Sequence, residues 1–274
     1  MNLPTTLDYP LVAIGDLHGQ LDDLRRLIGR LEVLPEWPDV ALVFLGDFVD
    51  RNNMVRQTID YVLELLLRPA GGSAVMGNHD LALTRAARLD GGSPSPFWVD
   101  HYRTRYDHEA TFESYLGRPA MTWGDAWGKD LDALREAIPE EHKGFLTSLP
   151  WLVEAPGHIF LHNGLSNELG ASPEEQVEAL KAKLWDRKLL NPLAGTATDR
   201  LWEDDYPVWL GADRRLSQSP LPHPGKVQVT GHDRVRRPDS NDVRIRLDTS
   251  GGRGALTACM LRSATAEPVF LQSR

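Results

Sequence analysis

The chain has 274 residues, 41% of them hydrophobic, and a formal net charge of −9. That length and apolar content support a globular fold with a substantial core, expected as one catalytic-size domain over 1–274 carrying an insertion. The acidic balance argues against a protein that coats nucleic acid, since backbone phosphates call for a basic excess or stripe, yet it suits carboxylates gathered around cations.

Taken in chain order, short apolar runs recur and each stops at a polar cluster. LVAIGD (11–16) is the first. It is followed by QLDDLRRLIGRL, where Leu21, Leu24, Leu27, Ile28 and Leu31 share one helical face and Asp22 and Asp23 sit in the first turn, where the helix dipole favours anions. VALVFLGD (40–47) leads to a second helical pattern with Val55, Ile59, Val62, Leu63 and Leu66 on one face, and GSAVMGNHD (72–80) leads to a third, from Leu81 to Leu89. Strand and helix thus alternate three times, which predicts a parallel sheet.

DGGSPSPFW ends the third helix, and residues 90–127, rich in aromatics, histidines and charges, read as a mostly helical insertion or cap. Its aromatics Trp98, Tyr102, Tyr106 and Phe112 read as local core, with His101 and Tyr102 able to face a pocket. A further helix is expected from about Lys129 to Thr147, then the strand HIFLHNG, then a helix opened by Pro173 in PEEQVEALKAKLWDRKLL. Loops fill 191–224, and KVQVT, DVRIRLD, ALTACML and PVFLQ close the chain as strands. The lone cysteine, Cys259, reads as a buried strand residue. No run approaches the roughly 18 apolar residues that span a bilayer. The start MNLPTTLDYP has no leader-like region, so a cytoplasmic location is expected, with neither membrane nor nucleic acid as partner.

The ends of the apolar runs carry the chemistry: Asp16 and His18, then Asp47, Asp50 and Arg51, then Asn78, His79 and Asp80, and later His162 and His232. Parallel strands place their carboxyl ends on one side, so Asp16, Asp47 and Asn78, each 31 residues from the next, can converge. Such a set suits two divalent ions sharing a carboxylate, and mixed oxygen and imidazole donors match manganese, iron, zinc or nickel better than calcium. Singly, each residue has an ordinary reading: Asp16 or Asp47 as a helix cap, Asn78 in a turn, His162 in the core, Arg51 in a surface ion pair. The ordered set outweighs those readings. Asp80 and Asp233 are explained as well by backbone bridging, and Asp248 by support of the site.

GDLHG, GDFVDR, GNHD, HNG and GHD, in that order from about Leu11 to Leu256, resemble the phosphoprotein phosphatase family of dinuclear metallophosphoesterases, in its bacterial branch. TFESYLG and DTSGGRGALTACML resemble segments of the same branch. The resemblance implies a four-layer αββα sandwich, two mixed β-sheets flanked by helices. It implies that Asp16, His18 and Asp47 hold one metal ion and Asp47, Asn78, His162 and His232 the other, with Asp47 as the bridge and manganese as the expected pair. A hydroxide bridging the ions would attack phosphorus in line. His79 would protonate the leaving alkoxide, Asp50 would orient that imidazole, and Arg51 and Asn78 would grip the phosphate. Arg187 in LWDRKLL stands ahead of Arg214 and Arg215 as a second phosphate-binding arginine.

Three positions depart from the family pattern without removing a ligand: Asn52 where a glycine is usual, Asn163 where a small residue is common, and Asp80 in place of the glutamate of eukaryotic members. The expected substrate is a phosphomonoester, a phosphorylated protein at serine or threonine or a small phosphoester. Symmetrical dinucleoside tetraphosphate hydrolysis is the rival, since GNHDL and the terminal GGxxxLT region resemble that sister group. A nucleotide leaves with less need of protonation than an alkoxide, so the presence of Asp50 favours the monoesterase. A non-catalytic scaffold is the remote third reading, disfavoured because all six ligands are present.

Overall fold

Alternation along the first strand, β1 (Leu11–Ile14), sets the layering: Leu11 and Ala13 enter one apolar cluster, Val12 and Ile14 another. The computed structural model describes residues 2–167, 171–183 and 220–274. Within them β1 is followed by α1 (Leu21–Leu31), β2 (Ala41–Phe44), α2 (Val55–Leu66), β3 (Gly72–Ala74) and α3 (Asn78–Ala86). β1, β2 and β3 pair in parallel, and β9 (Thr257–Leu261) and β10 (Val269–Gln272) extend this sheet antiparallel on the far side of β1. The second sheet runs β4 (Leu152–Ala155), β5 (His158–Leu161), β6 (Val227–Thr230), β8 (Arg244–Arg246) and β7 (Asp239–Ser240), with β5, β6 and β8 parallel and both edge pairs antiparallel.

Leu11, Ala13, Val43 and Leu45 from the first sheet meet Val153, Phe160, Val229 and Ile245 from the second in one buried cluster between the sheets. The opposite face of the first sheet, Val12, Ile14, Leu42 and Phe44, joins Leu24, Leu27 and Ile28 of α1 with Ile59 and Val62 of α2. Ile159 and Leu161 join Val177 and Leu180 of α8 (Pro173–Lys181). Helices therefore cover both outer faces, the expected α/β sandwich of two mixed sheets.

Residues 90–127 fold into α4 (Pro96–Arg105) and α5 (Glu109–Leu116) and run into α6 (Ala126–Ala137). The Ser95 hydroxyl caps α4 by accepting from the Trp98 N–H, and Gly117 in the left-handed region closes α5. Trp98, Tyr102 and Phe112 are fully buried here.

One expectation needs correcting, and one strand had no counterpart in the sequence reading. The helix expected over Lys129–Thr147 is two, α6 and α7 (Glu140–Ser148), because Pro139 takes an extended ψ of 149° and interrupts the helical bond ladder. That strand is β4, which was not among the expected elements. Its four residues are too few to show alternation, and the Pro156–Gly157 pair behind them is the turn that folds β4 back onto β5. No helix among the described residues is long and apolar enough to cross a membrane.

The chain's last residues return to α1. Asp23 accepts two hydrogen bonds from Arg274, at 2.7 and 3.0 Å, and further ones from Arg26 and Ser273, each at 2.8 Å. Burial pushes the Asp23 carboxyl up, but these donors more than offset it and hold its pKa well below the usual range. A depressed folded-state pKa gives stability that is present above about pH 4 and lost as pH falls toward the folded value. Asp23→Asn should therefore unfold more easily at pH 7 by about 1–2 kcal/mol. In urea titrations the gap to the wild type should narrow at pH 3; an unchanged gap would show that the carboxylate's charge is not what matters.

Candidate active site

The carboxyl ends of β1, β2, β3, β5 and β6 bring the motif residues to one edge of the sandwich. Among the described residues seven non-glycine residues have positive φ, and five stand in these motifs: His18 (43°), Asp47 (52°), Asp50 (68°), Arg51 (69°) and His232 (57°). Left-handed backbone at a non-glycine residue costs on the order of 1–3 kcal/mol and persists only where the surroundings fix it. Packing leaves no room for relief: a Cβ on Gly77 would collide with Asp47 Oδ1, and one on Gly231 with Asp16 Oδ1.

Asp47 lies at the centre. It forms one group with His18 and His79 and another with His162 and His232, the donor atoms of each group lying within 4.8 Å of one another. His18 Nδ1 is 2.8 Å from the Val49 carbonyl and His162 Nδ1 is 2.7 Å from the Leu45 carbonyl. A carbonyl can only accept, so both Nδ1 atoms carry a proton, and in the neutral ring each Nε2 then presents a lone pair. His18 Nε2 faces Asp47 Oδ2 at 3.3 Å and, fully buried, has no hydrogen-bond partner. His162 Nε2 faces Asn78 Oδ1 at 3.0 Å and Asp47 Oδ1 at 3.5 Å, and His232 Nδ1 reaches the same Asn78 oxygen at 3.1 Å.

Lone pairs aimed at oxygens in a buried pocket repel unless positive charge lies among them, and divalent cations fit that donor set. Asp16 stands outside both groups, and its two oxygens accept from the His232 N–H at 3.1 Å. Burial, Asp248 and Asp47 together push its pKa well up, which marks the same shortage of positive charge.

His79 sits differently from the other imidazoles. Its Nδ1 is 2.7 Å from Asp50 Oδ2, and its Nε2 is 3.3 Å from an Arg51 guanidinium nitrogen. Both ring nitrogens are occupied, which sets His79 apart from a metal-binding role. Asp50 is wholly buried, and burial alone would raise its pKa. Hydrogen bonds from His79, Thr111 and Tyr102 outweigh that and keep the carboxylate ionised. Arg187, Arg214 and Arg215 lie outside the described residues.

Asp80 and Asp248 take the bridging and supporting places that the sequence allowed them, whereas the role of Asn52 escaped the sequence reading. Asp80 accepts from the backbone N–H groups of Asp47 (2.8 Å), Phe48 (2.8 Å) and Gly77 (3.0 Å), so it fixes the turn that carries Asp47. Its place at the third position of α3 was a readable capping signal. Asn52, the departure from glycine, donates through Nδ2 to the carbonyls of His18 (2.7 Å) and Gly252 (2.6 Å) and staples three motif loops together. Asp248 accepts from the Gly251 N–H at 2.7 Å in the turn packed against Arg51.

The family model for calcineurin-like phosphoesterases matches residues 9–242. This chain belongs to that family. Among solved structures, a protein provisionally named diadenosine tetraphosphatase is similar over 98% of both chains, with a TM-score of 0.53 at 18% identity. A cold-active protein-tyrosine phosphatase from a psychrophilic Shewanella is similar over 98% of this chain and 83% of its own, with a TM-score of 0.54 at 20% identity. Likeness at that identity speaks for the fold of this calcineurin-like phosphoesterase. Serine/threonine-protein phosphatase PP1-1 of Saccharomyces cerevisiae is 36% identical over 72 residues, which span 26% of this chain and 22% of the yeast protein.

Asp80→Asn would turn an NH2 group toward backbone N–H donors that now meet a carboxylate oxygen. The variant should lose about 1–3 kcal/mol of unfolding free energy at pH 7. Amide exchange at Asp47 and Phe48 should quicken with it, and unchanged exchange there would show that Asp80 does not hold the turn.

Proposed function

We propose that this chain hydrolyses phosphomonoesters, with phosphoserine and phosphothreonine in proteins as the substrate class. The observation that carries the reading is the buried His79 and Asp50 pair, 2.7 Å apart, with His79 Nε2 beside Arg51. An alkoxide leaving group is strongly basic and needs a proton as it departs, and a positioned imidazole braced by a carboxylate supplies one.

In this reading Asp16, His18 and Asp47 would hold one divalent cation and Asp47, Asn78, His162 and His232 the other. Bound there, the cations would place positive charge on the phosphoryl oxygens and make the attacking water more acidic. The chain's own groups do the rest. Arg51 presents a planar fork to two phosphoryl oxygens, with the Asn78 amide beside it. As the P–O bond to the leaving group breaks, its electron pair passes to the leaving oxygen, which takes the Nε2 proton of His79 in its charged form, Arg51 having left Nε2 for the phosphate, and departs as the alcohol. Water supplies the oxygen that replaces it on phosphorus. Asp50 holds the imidazole through Nδ1 and stabilises it while it is charged.

The same site could cleave symmetrical dinucleoside tetraphosphates, where the departing nucleotide is already a stable anion and His79 would matter little. Full-length likeness to the provisionally named diadenosine tetraphosphatase keeps that reading as the rival.

A phosphothreonine peptide, a phosphotyrosine peptide, p-nitrophenyl phosphate and diadenosine tetraphosphate, each assayed with manganese, iron, zinc, nickel and magnesium, separate these readings. The phosphothreonine peptide should be cleaved faster than the dinucleotide; the reverse by a wide margin would overturn the assignment. His79→Asn should slow alkyl phosphoesters by roughly 10²–10⁴-fold while slowing p-nitrophenyl phosphate far less. Elemental analysis should find a pair of divalent ions in the wild type and neither in Asp47→Ala; full occupancy in that variant would remove Asp47 as the bridge.

A further inference from the structure

The insertion reaches the acid through two hydroxyls. Tyr102 on α4 donates to Asp50 Oδ1 at 2.7 Å, and Thr111 on α5 donates to the same oxygen at 2.6 Å. The Thr111 hydroxyl also accepts from the Asp50 N–H at 2.9 Å, so one side chain fixes both the backbone at Asp50, with its φ of 68°, and the carboxylate it carries. The Asp107 carbonyl, in the link between α4 and α5, accepts from the Arg51 N–H at 3.1 Å. Tyr106, in the same link, sets its ring edge-on to that of His79, with centroids 4.7 Å apart and planes at 90°.

Every one of these groups is placed to act on direction. Asp50 Oδ1 takes both hydroxyl protons, which leaves Oδ2 to His79 Nδ1 alone. An ionised carboxylate accepts at every lone pair, so Nδ1 carries a proton, and Nε2, turned toward Arg51, is the nitrogen that can take up a second proton and deliver it. Tyr102, Thr111 and Asp50 are all fully buried, so no water substitutes for a missing hydroxyl without a change in packing. Filling a core does not require two donors on one oxygen. Phenylalanine and valine would fill the same space.

We infer that Tyr102 and Thr111 are positioning residues for the leaving-group step: the helical insertion locks the Asp50 carboxylate, and through it holds His79 with Nε2 aimed at the departing oxygen. The inference rests on the proposed role of His79 as the acid. It assigns the insertion to the proton-delivery side of the site, while the ligand-bearing loops belong to the two sheets.

Tyr102→Phe, Thr111→Val, Thr111→Ser and His79→Asn, assayed in the full chain on an alkyl phosphoester and on p-nitrophenyl phosphate, test this. Tyr102→Phe and Thr111→Val should each slow the alkyl ester about tenfold and the aryl ester less than about twofold, with KM little changed. Thr111→Ser, which keeps the hydroxyl, should restore the wild-type ratio. In metal-free protein the low-field Nδ1 proton resonance of His79 should shift or broaden in the first two variants and persist in Thr111→Ser. If His79→Asn distinguishes the two esters but Tyr102→Phe and Thr111→Val slow both equally or neither, the inference falls while the acid role stands. If His79→Asn slows both esters equally, the acid role itself falls and takes this inference with it. A variant that merely unfolds in part would slow both esters alike, so the ratio is not moved by lost stability.

Discussion

The site is organised around a shortage of positive charge. Two imidazoles, each with an Nδ1 proton committed to a backbone carbonyl, turn the other ring nitrogen, a bare lone pair in the neutral ring, onto oxygens of Asp47 and Asn78 in a pocket closed to solvent. Bulk water cannot screen that repulsion at a fully buried His18 and a nearly buried Asp47. A chain free to relax would rotate the rings away. It does not relax, because each ring is pinned by its own Nδ1–H and each turn by packing that excludes even a Cβ at Gly77 or Gly231. The protein therefore holds a charge pattern suited to cations, and the left-handed backbone at five motif residues is part of what holds it.

Rigid sheets make this possible. Short strands such as β1 and β2 are buried on both faces, so the loops at their ends inherit fixed starting points from two apolar clusters. Asp80 then ties the β2 loop to the start of α3, and Asn52 ties the His18 turn to Gly252. These are hydrogen bonds between loops, and they join the ends of β1, β2 and β3 and the Gly252 turn into one frame. Each joins one side chain to a backbone group, and a backbone partner leaves no trace in side-chain chemistry.

That distinction explains what could be read from the sequence. The strand ends announce themselves, since glycine beside aspartate or histidine after an apolar run is uncommon, and equal spacing of residues 16, 47 and 78 suits a repeating strand and helix unit. The layered fold follows from the same runs. Less legible were features set by contact. Pro139 divides a helix whose apolar spacing continues across it, and β4 is known as a strand only through its pairing with β5. Asn52 looked like a loss of glycine, whereas its side chain bridges two carbonyls across 34 and 200 residues of sequence. Tyr102 and Thr111 are 52 and 61 residues from the carboxylate they touch, a separation that no local pattern encodes.

The two halves of the site thus draw on different parts of the chain, and this bears on how one architecture serves several phosphoester chemistries. Donors for cations come from strand ends, where a shift of register would disturb both sheets at once and is strongly resisted. Groups that set the geometry of His79 come from α4, α5 and the link between them, which pack on α3 and α2 at the margin of the core. A change in that segment alters how firmly the acid is held and what borders it, yet leaves the charge pattern around Asp47 intact. Leaving-group basicity is the property most sensitive to such a change, because an anhydride departs without the proton that an alkoxide requires. On the proposed reading, selection among phosphoester substrates would act on the insertion without touching the candidate donors for cations, and the hydroxyl clamp on Asp50 is the point where the two are joined.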